Sequence, residues 1–325
     1  MITVEGLCKT FKVAKRSAGF KAAAKALFKR EYTEIEALRD VSFNIDEGEV
    51  VGYIGPNGAG KSTTIKVMSG ILMPDSGKCE ILGRTPWNDR IAHVKNIGVV
   101  FGQRSQLMWD IPVLDSFELL RDIYRVPEQK YKKNLDKLTE ILELGEILGT
   151  PVRQMSLGQR MRCEITASLL HSPRILFLDE PTIGLDAVSK VAVRKFIKEI
   201  NRENGVTVIL TTHDMGDVEA LADRILLIGK GQILFDGSFN HLKSRYNSYG
   251  VLSVDYSGDD NLLDIENTNI LSNVNGRAVL QVDTNIRSMS SVICQLSNIL
   301  EIRDITVEVR PIEEVIAALY KEYQI

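Results

Sequence analysis

The stretch "EVVGYIGPNGAGKSTTIKVMSGIL", Glu49 to Leu72, decides how the rest of the chain is read. Val50, Val51, Tyr53 and Ile54 make a short apolar run of the kind that forms a buried strand. Gly55 to Ser62 then match G-x-x-x-x-G-K-[ST] at every fixed position, and Ile65, Val67, Met68, Ile71 and Leu72 follow at roughly helical spacing. Strand, glycine loop and helix in that order are the context a P-loop requires. Gly55, Gly58 and Gly60 let the backbone wrap closely around phosphate oxygens, and successive N–H groups at the helix start form an anion nest. Lys61 supplies positive charge for the β- and γ-phosphates, and the Ser62 hydroxyl suits Mg²⁺. A chance glycine-rich turn would lack the flanking strand and helix.

Outward from this loop, "RILFLDEPTIGLD" (Arg174–Asp186) carries a second apolar strand that ends in adjacent acids, Asp179 and Glu180. A strand end that delivers a carboxylate beside a P-loop is where the Mg²⁺ partner belongs, which makes Asp179 the metal candidate. Glu180 points differently and is the candidate to polarise the attacking water. Pro181 ends the strand. "NIGVVFGQ" delivers Gln103, and "VTVILTTHD" delivers His213, each positioned to reach γ-phosphate, Mg²⁺ or water if its strand lies beside the P-loop strand. A lone polar residue after a strand is usually a loop residue; the ordered set is far more specific.

"VRQMSLGQRMRCE" (Val152–Glu164) reads as the start of another helix, with Ser156 as its cap and Gly158 leaving room in the first turn. Such a start also suits an anion. The chain therefore carries two phosphate sites.

The 325 residues are 44% hydrophobic and 26% charged, with net charge −3, an ordinary composition with room for one large and one small domain. No apolar stretch is long enough to span a bilayer as a helix, and the start MITVEGLCKTF has no signal-peptide core. Cys8, Cys79, Cys163 and Cys294 form no CxxC pair and read as free thiols. The charge balance gives no case for nucleic-acid binding.

Together, "GPNGAGKS", Gln103, "MSLGQ", "ILFLDE", "GLD" and "TTHD" resemble the Walker A, Q-loop, signature, Walker B, D-loop and switch-histidine motifs of ATP-binding-cassette transporter subunits. The resemblance covers roughly residues 1–240. It implies an α/β P-loop NTPase fold: a RecA-like core, a β-subdomain and a helical signature subdomain at about 104–170. It also implies ATP and Mg²⁺ as ligands. Gly55, Asn57, Gly58, Ala59, Gly60, Lys61, Ser62 and Thr63 would hold nucleotide, and Phe11 would stack on adenine from just after the first strand. Ser62, Gln103 and Asp179 would hold metal, while Glu180, His213 and Gln103 would serve hydrolysis. In this family two cassettes pack head to tail. Ser156, Gly158 and Gln159 would then reach the partner's nucleotide, with Asp186 at the seam. One departure stands out: the family reads LSGGQ, whereas Leu157 replaces the first glycine here. Leucine does not readily take positive φ, so the loop should be helical at that position.

The resemblance further implies a membrane-spanning permease and a second cassette, identical or paralogous, as partners. It places the protein at the cytoplasmic face of a membrane. "MSLGQRMR" and "FGQRSQLMWD" look like the drug or peptide exporters of the daunorubicin-resistance-like group. Trp109, Ile111 and Phe117 are candidates for the groove that takes a permease helix. The rival, a soluble cassette acting in nucleic-acid repair or translation, expects a long coiled-coil insertion or a second fused cassette, and neither is present. Intact Lys61, Asp179, Glu180 and His213 argue against a non-hydrolysing module.

Two segments lie outside the motifs. The insertion at about 13–34 carries seven Lys or Arg and no acid between Lys12 and Arg30. Phe20, Ala24, Leu27 and Phe28 fall on one helical face there, and Lys21, Lys25 and Lys29 on another. It suits anionic lipid or permease contact, but basic faces are commonly just solvated, which favours a solvated insertion whose apolar stripe packs on its own domain. Residues 241–325 read as a small α+β accessory domain. "VLSVDYS", "RAVLQVD" and "DITVEVR" alternate as strands, "SMSSVICQLSNIL" reads as a helix, and Pro311 opens a last one.

Overall fold

Each strand that precedes a site motif is buried along most of its length around an apolar centre, as strands covered on both faces must be. The computed structural model describes residues 1–14, 32–102, 104–246, 249–257, 265, 268–284, 286–309 and 312–323. Gln103, most of the basic insertion and Pro311 lie outside them. The chain divides into two compact units, Met1–Gly237 and Ser238–Ile325, whereas the sequence suggests a break after residue 240.

In the first unit, β1 (Ile2–Ala14), β2 (Tyr32–Ile45) and β4 (Ser76–Ile81) form an antiparallel sheet ordered β2-β1-β4. A six-stranded sheet contains β3 (Val50–Ile54), β5 (Ile97–Phe101), β6 (Ile175–Asp179), β7 (Thr207–Thr212), β8 (Arg224–Gly229) and β9 (Gln232–Ser238), in the order β5-β6-β7-β3-β8-β9. One core serves both sheets, with Ile2, Val4, Phe43 and Ile45 packed with Tyr53, Phe177 and Ile209. The Tyr53 hydroxyl is buried there but bonded to Thr64 Oγ1 at 3.1 Å, so it leaves no unpaired polar group.

Register decides the site. Ile54 pairs with Thr212, Asp179 with Thr211, and Phe101 with Asp179, so the parallel strands finish level with one another. The carboxyl ends of an open parallel sheet are where such folds place ligands. Two sequence expectations change here. β7 lies between β6 and the P-loop strand, and β5 lies at the sheet edge. Asp179 and the Gln103 strand therefore serve the P-loop from one and two strands farther away than adjacency would require.

The helices of this unit are α1 (Lys61–Met68), α2 (Arg90–Val94), α3 (Val113–Tyr124), α4 (Glu128–Ile141), α5 (Leu157–Leu169), α6 (Ala187–Asn204) and α7 (Met215–Leu221). Leu135, Leu138, Ile141, Leu142 and Leu144 recur at the spacing of one helix, yet α4 stops at Ile141. Leu142 caps α4 and Glu143 turns left-handed at φ 51°, so Leu144 is buried beyond the helix end.

After α5, His171 stacks flat on Tyr124, with centroids 4.0 Å apart, and its Nε2 pairs with Ile97 O at 2.9 Å. Burial pushes this imidazole down to about 4. An unfolded histidine titrates near 6.5. Between those values the unfolded chain binds more protons, so stability is full above about 6.5 and falls as pH drops toward about 4. The slope approaches 1.4 kcal/mol per pH unit. Denaturant midpoints at pH 7 and pH 5 should therefore differ less in His171→Phe, which keeps the stack but cannot titrate.

In the second unit, β10 (Tyr249–Ser257), β11 (Thr268–Val274), β12 (Arg277–Asp283) and β13 (Glu301–Val309) form an antiparallel sheet ordered β11-β12-β10-β13. Helices α8 (Phe239–Tyr246), α9 (Met289–Ile299) and α10 (Ile312–Glu322) complete it. Leu252, Val254, Leu280 and Val282 face Val292 and Leu296 of α9 in a small core of their own. β11 was not expected, because its Asn residues weaken the strand pattern. The signal was next to it: Asn275-Gly276, at φ 54° and 73°, makes the two-residue hairpin turn. All four cysteines are free. Among the described residues no helix is long and apolar enough to cross a membrane.

Candidate nucleotide site

The loop from Gly55 to Gly60 is shaped by close backbone approaches. A Cβ on Gly55 would lie 2.4 Å from Ile228 O. One on Gly60 would lie 2.6 Å from Ala37 O, at φ 113°, where side chains are strained. Lys61 opens α1 and is 6% exposed, and its Nζ donates to Gly55 O at 2.7 Å and Pro56 O at 3.1 Å. Burial pulls its ammonium below the ordinary lysine value, and the carboxylates of Glu180 and Asp179 oppose that pull.

The expected metal pair meets across the sheet. Ser62 Oγ donates to Asp179 Oδ1 at 3.2 Å, and the Thr211 hydroxyl from the intervening β7 donates to the same oxygen. A hydroxyl and a carboxylate oxygen set together beside an anion nest are hard oxygen donors of the kind Mg²⁺ takes. The next residue turns sharply: Glu180 is left-handed at φ 55°, and its N–H is held by Thr211 O at 3.0 Å. Such a conformation in a non-glycine residue costs on the order of 1–3 kcal/mol. It brings Glu180 Oε1 to 3.4 Å from His213 Nδ1. A cavity of about 520 Å³ opens over these groups, lined by Asn57, Lys61, Ser62, Asp179, Glu180 and His213 among others. Phe101, Gly102 and Arg104, which flank Gln103, also line it.

Other sequence candidates lie elsewhere. Ser156 caps α5 in a reciprocal pair: Gln159 N donates to Ser156 Oγ at 3.2 Å, and Ser156 N donates to Gln159 Oε1 at 2.9 Å. Leu157 begins the helix in ordinary geometry, as its branched side chain requires. Gly158 is buried against α6, and a Cβ there would lie 2.4 Å from Ser189 Oγ. Asp186 caps α6, accepting from Ser189 N at 2.9 Å and Ser189 Oγ at 2.8 Å, and these bonds hold its carboxyl below the usual range. Ser156, Gly158, Gln159 and Asp186 are not among the residues lining the P-loop cavity. Phe11 is not among them either. It sits inside β1, paired with Ile35, rather than just after the strand, because the β1–β2 hairpin extends to the Ala14–Tyr32 pair.

Of the groove candidates, Phe117 is fully buried and belongs to the core, while Trp109 is 52% exposed with the Arg160 guanidinium 6.0 Å over its ring. Sequence reasoning missed Thr211, although the Thr-Thr pair before His213 marked it. It also missed Glu164. That carboxylate is 3% exposed and accepts from the Ser105 hydroxyl and from Gln106 N at 3.2 Å. Burial raises its carboxyl above the ordinary value, against those bonds. With Arg162 before it and Thr166 and Ser168 after it, Glu164 carries no local sequence signal.

The chain is similar to known proteins in sequence and in fold. The family model described as "ABC transporter" matches residues 38–183. The ABC transporter ATP-binding protein YhcH of Bacillus subtilis is 34% identical over 61% of this chain, and the match spans 63% of that relative's length. The daunorubicin resistance ATP-binding protein DrrA3 of Streptomyces coeruleorubidus is 33% identical over 66% of this chain and 68% of its own. A solved ATP-binding cassette, a dimer in a post-hydrolysis state bound to ADP and Pi, superposes with TM-score 0.61 at 27% identity, over 73% of this chain and 98% of that one. Matched by a family model, by relatives in sequence and by solved cassettes in fold, the chain belongs to the ABC transporter family of ATP-binding proteins.

Proposed function

We propose that this chain is the ATP-hydrolysing subunit of a membrane exporter and that it works on a separate permease. The observation that carries the reading is the approach of Glu180 to His213 beside the Asp179–Ser62 pair, at the mouth of the Lys61 loop. Lys61 and the loop N–H groups hold phosphate, and Ser62 and Asp179, with Gln103, hold Mg²⁺, which when bound neutralises phosphate charge. Glu180 orients water and takes its proton, and His213 fixes the Glu180 carboxylate. Phe11 stacking on the base belongs to the same proposal.

The signature residues stand apart from the chain's own P-loop cavity, so they serve another cassette. One chain carries both a complete P-loop and a complete capped signature helix. Two copies related by a twofold axis would therefore make two complete sites. The protein would reach the membrane through its permease, at the cytoplasmic face. Half-exposed Trp109 and Met108, with Leu119 and Ile123 of α3, offer apolar contacts for a permease segment. The name of DrrA3 favours drug-like cargo. Residues 238–325 serve as an accessory unit.

Phosphate release with purified protein tests the activity. Release should require Mg²⁺, stop with a chelator and fall at least tenfold in His213→Ala. Recovery of the native protein with a membrane permease supports the exporter reading; recovery with ribosomes or DNA supports the soluble alternative.

A further inference from the structure

Asp217 lies on α7, four residues beyond His213, and has no exposed surface. A carboxylate taken out of water must be paired and fully hydrogen-bonded. Its partners arrive from three other elements. Arg194 on α6 donates Nε to Oδ1 at 2.6 Å. The hydroxyl of Thr182, in the turn after β6, donates to Oδ2 in a short bond. The hydroxyl of Thr212, at the end of β7, donates to the same Oδ2 at 3.1 Å.

These attachment points matter because of their neighbours. Thr182 is two residues beyond Glu180, and Thr212 is the residue before His213. One oxygen therefore fastens both turns that carry the hydrolytic pair. None of Asp217, Arg194, Thr182 and Thr212 lines the P-loop cavity, so the cluster does not touch nucleotide there. Lys190 and Arg194 also pair with Asp214, which anchors the far side of the His213 turn to α6.

We infer that Asp217 is a positioning residue: its buried carboxylate ties the Glu180 turn and the His213 turn to one oxygen and holds the 3.4 Å approach between them. The inference rests on the ATPase reading above. Displacing a catalytic group by about 1 Å can cost about a hundredfold in rate. Asparagine at 217 keeps the shape but loses the anion. Its oxygen can still accept from Arg194, but its N–H₂ then faces the two threonine hydroxyls, which must give up donating and turn to accept, and the half-buried Arg194 guanidinium loses its nearer counter-charge. Valine at 182 keeps the shape and loses the donor, whereas serine keeps the donor.

The test is steady-state phosphate release by the full chain, with nucleotide affinity read by a fluorescent ATP analogue. Asp217→Asn and Thr182→Val should each lower kcat at least tenfold, with KM and the analogue's Kd within about twofold of wild type, and Thr182→Ser should stay near wild type. In a Glu180→Gln background, Thr182→Val should cost nothing further, because the group it positions is gone. Wild-type kcat in Asp217→Asn or Thr182→Val would overturn the inference. So would an equal fold loss in the Glu180→Gln background, or lost nucleotide affinity. If Asp217→Asn does not fold, the Thr182→Val and Thr182→Ser pair decides. A wild-type chain that binds nucleotide and releases no phosphate would instead defeat the ATPase reading itself.

Discussion

Lys61→Ala should abolish useful nucleotide binding, raising the Kd for ATP at least a hundredfold in a fluorescence titration. The ammonium is held in the loop by two carbonyls, Gly55 O and Pro56 O, so it is fixed where phosphate must enter. A hydrogen bond to a charged group contributes about 1.5–3 kcal/mol. Losing two such bonds to phosphate oxygens amounts to about 3–6 kcal/mol, and a hundredfold change needs only about 2.7. The loop shape rests on Gly55 and Gly60, not on the lysine, so the variant should still fold, and circular dichroism can check this.

Glu180→Gln should give the opposite dissociation of effects. Nucleotide affinity should stay within a few-fold of wild type, while phosphate release slows by about 10²–10⁴, the usual contribution of a positioned general base. Glutamine fits the same left-handed turn and can still meet His213, but it cannot take a proton from water. A rate near wild type would remove Glu180 from its role and shift attention to Asp179. Single-turnover measurements separate the chemical step from release of product.

Most of the site could be read from the chain because its groups follow strands. Periodicity and motif spacing locate Lys61, Asp179, Glu180 and His213: the two acids and the histidine sit at strand ends that the sheet brings level, and Lys61 opens the helix that the glycine loop joins to the end of β3. Strand order was not legible. Nothing in the local pattern says that β7 intervenes between β6 and β3, because that order is set by how whole layers pack. Buried acids were the other gap. Asp217 and Glu164 look like ordinary helix-surface residues until their partners, all but Thr212 lying 23 to 59 positions away, close around them. Phe117 shows the converse: an aromatic near a motif suggests a binding groove, yet it fills the core. β11 was lost because asparagines dilute its alternation, while its turn carried a clear Asn-Gly signal.

The central claim is that the signature helix of one chain completes the nucleotide site of another. The most direct measurement is the mass of Glu180→Gln by light scattering, with and without ATP and Mg²⁺, with bound nucleotide quantified in the same sample. The account predicts a monomer without ATP and a doubled mass with it, reversed when Ser156→Arg blocks the helix cap. A mass that stays monomeric while ATP is bound would contradict it.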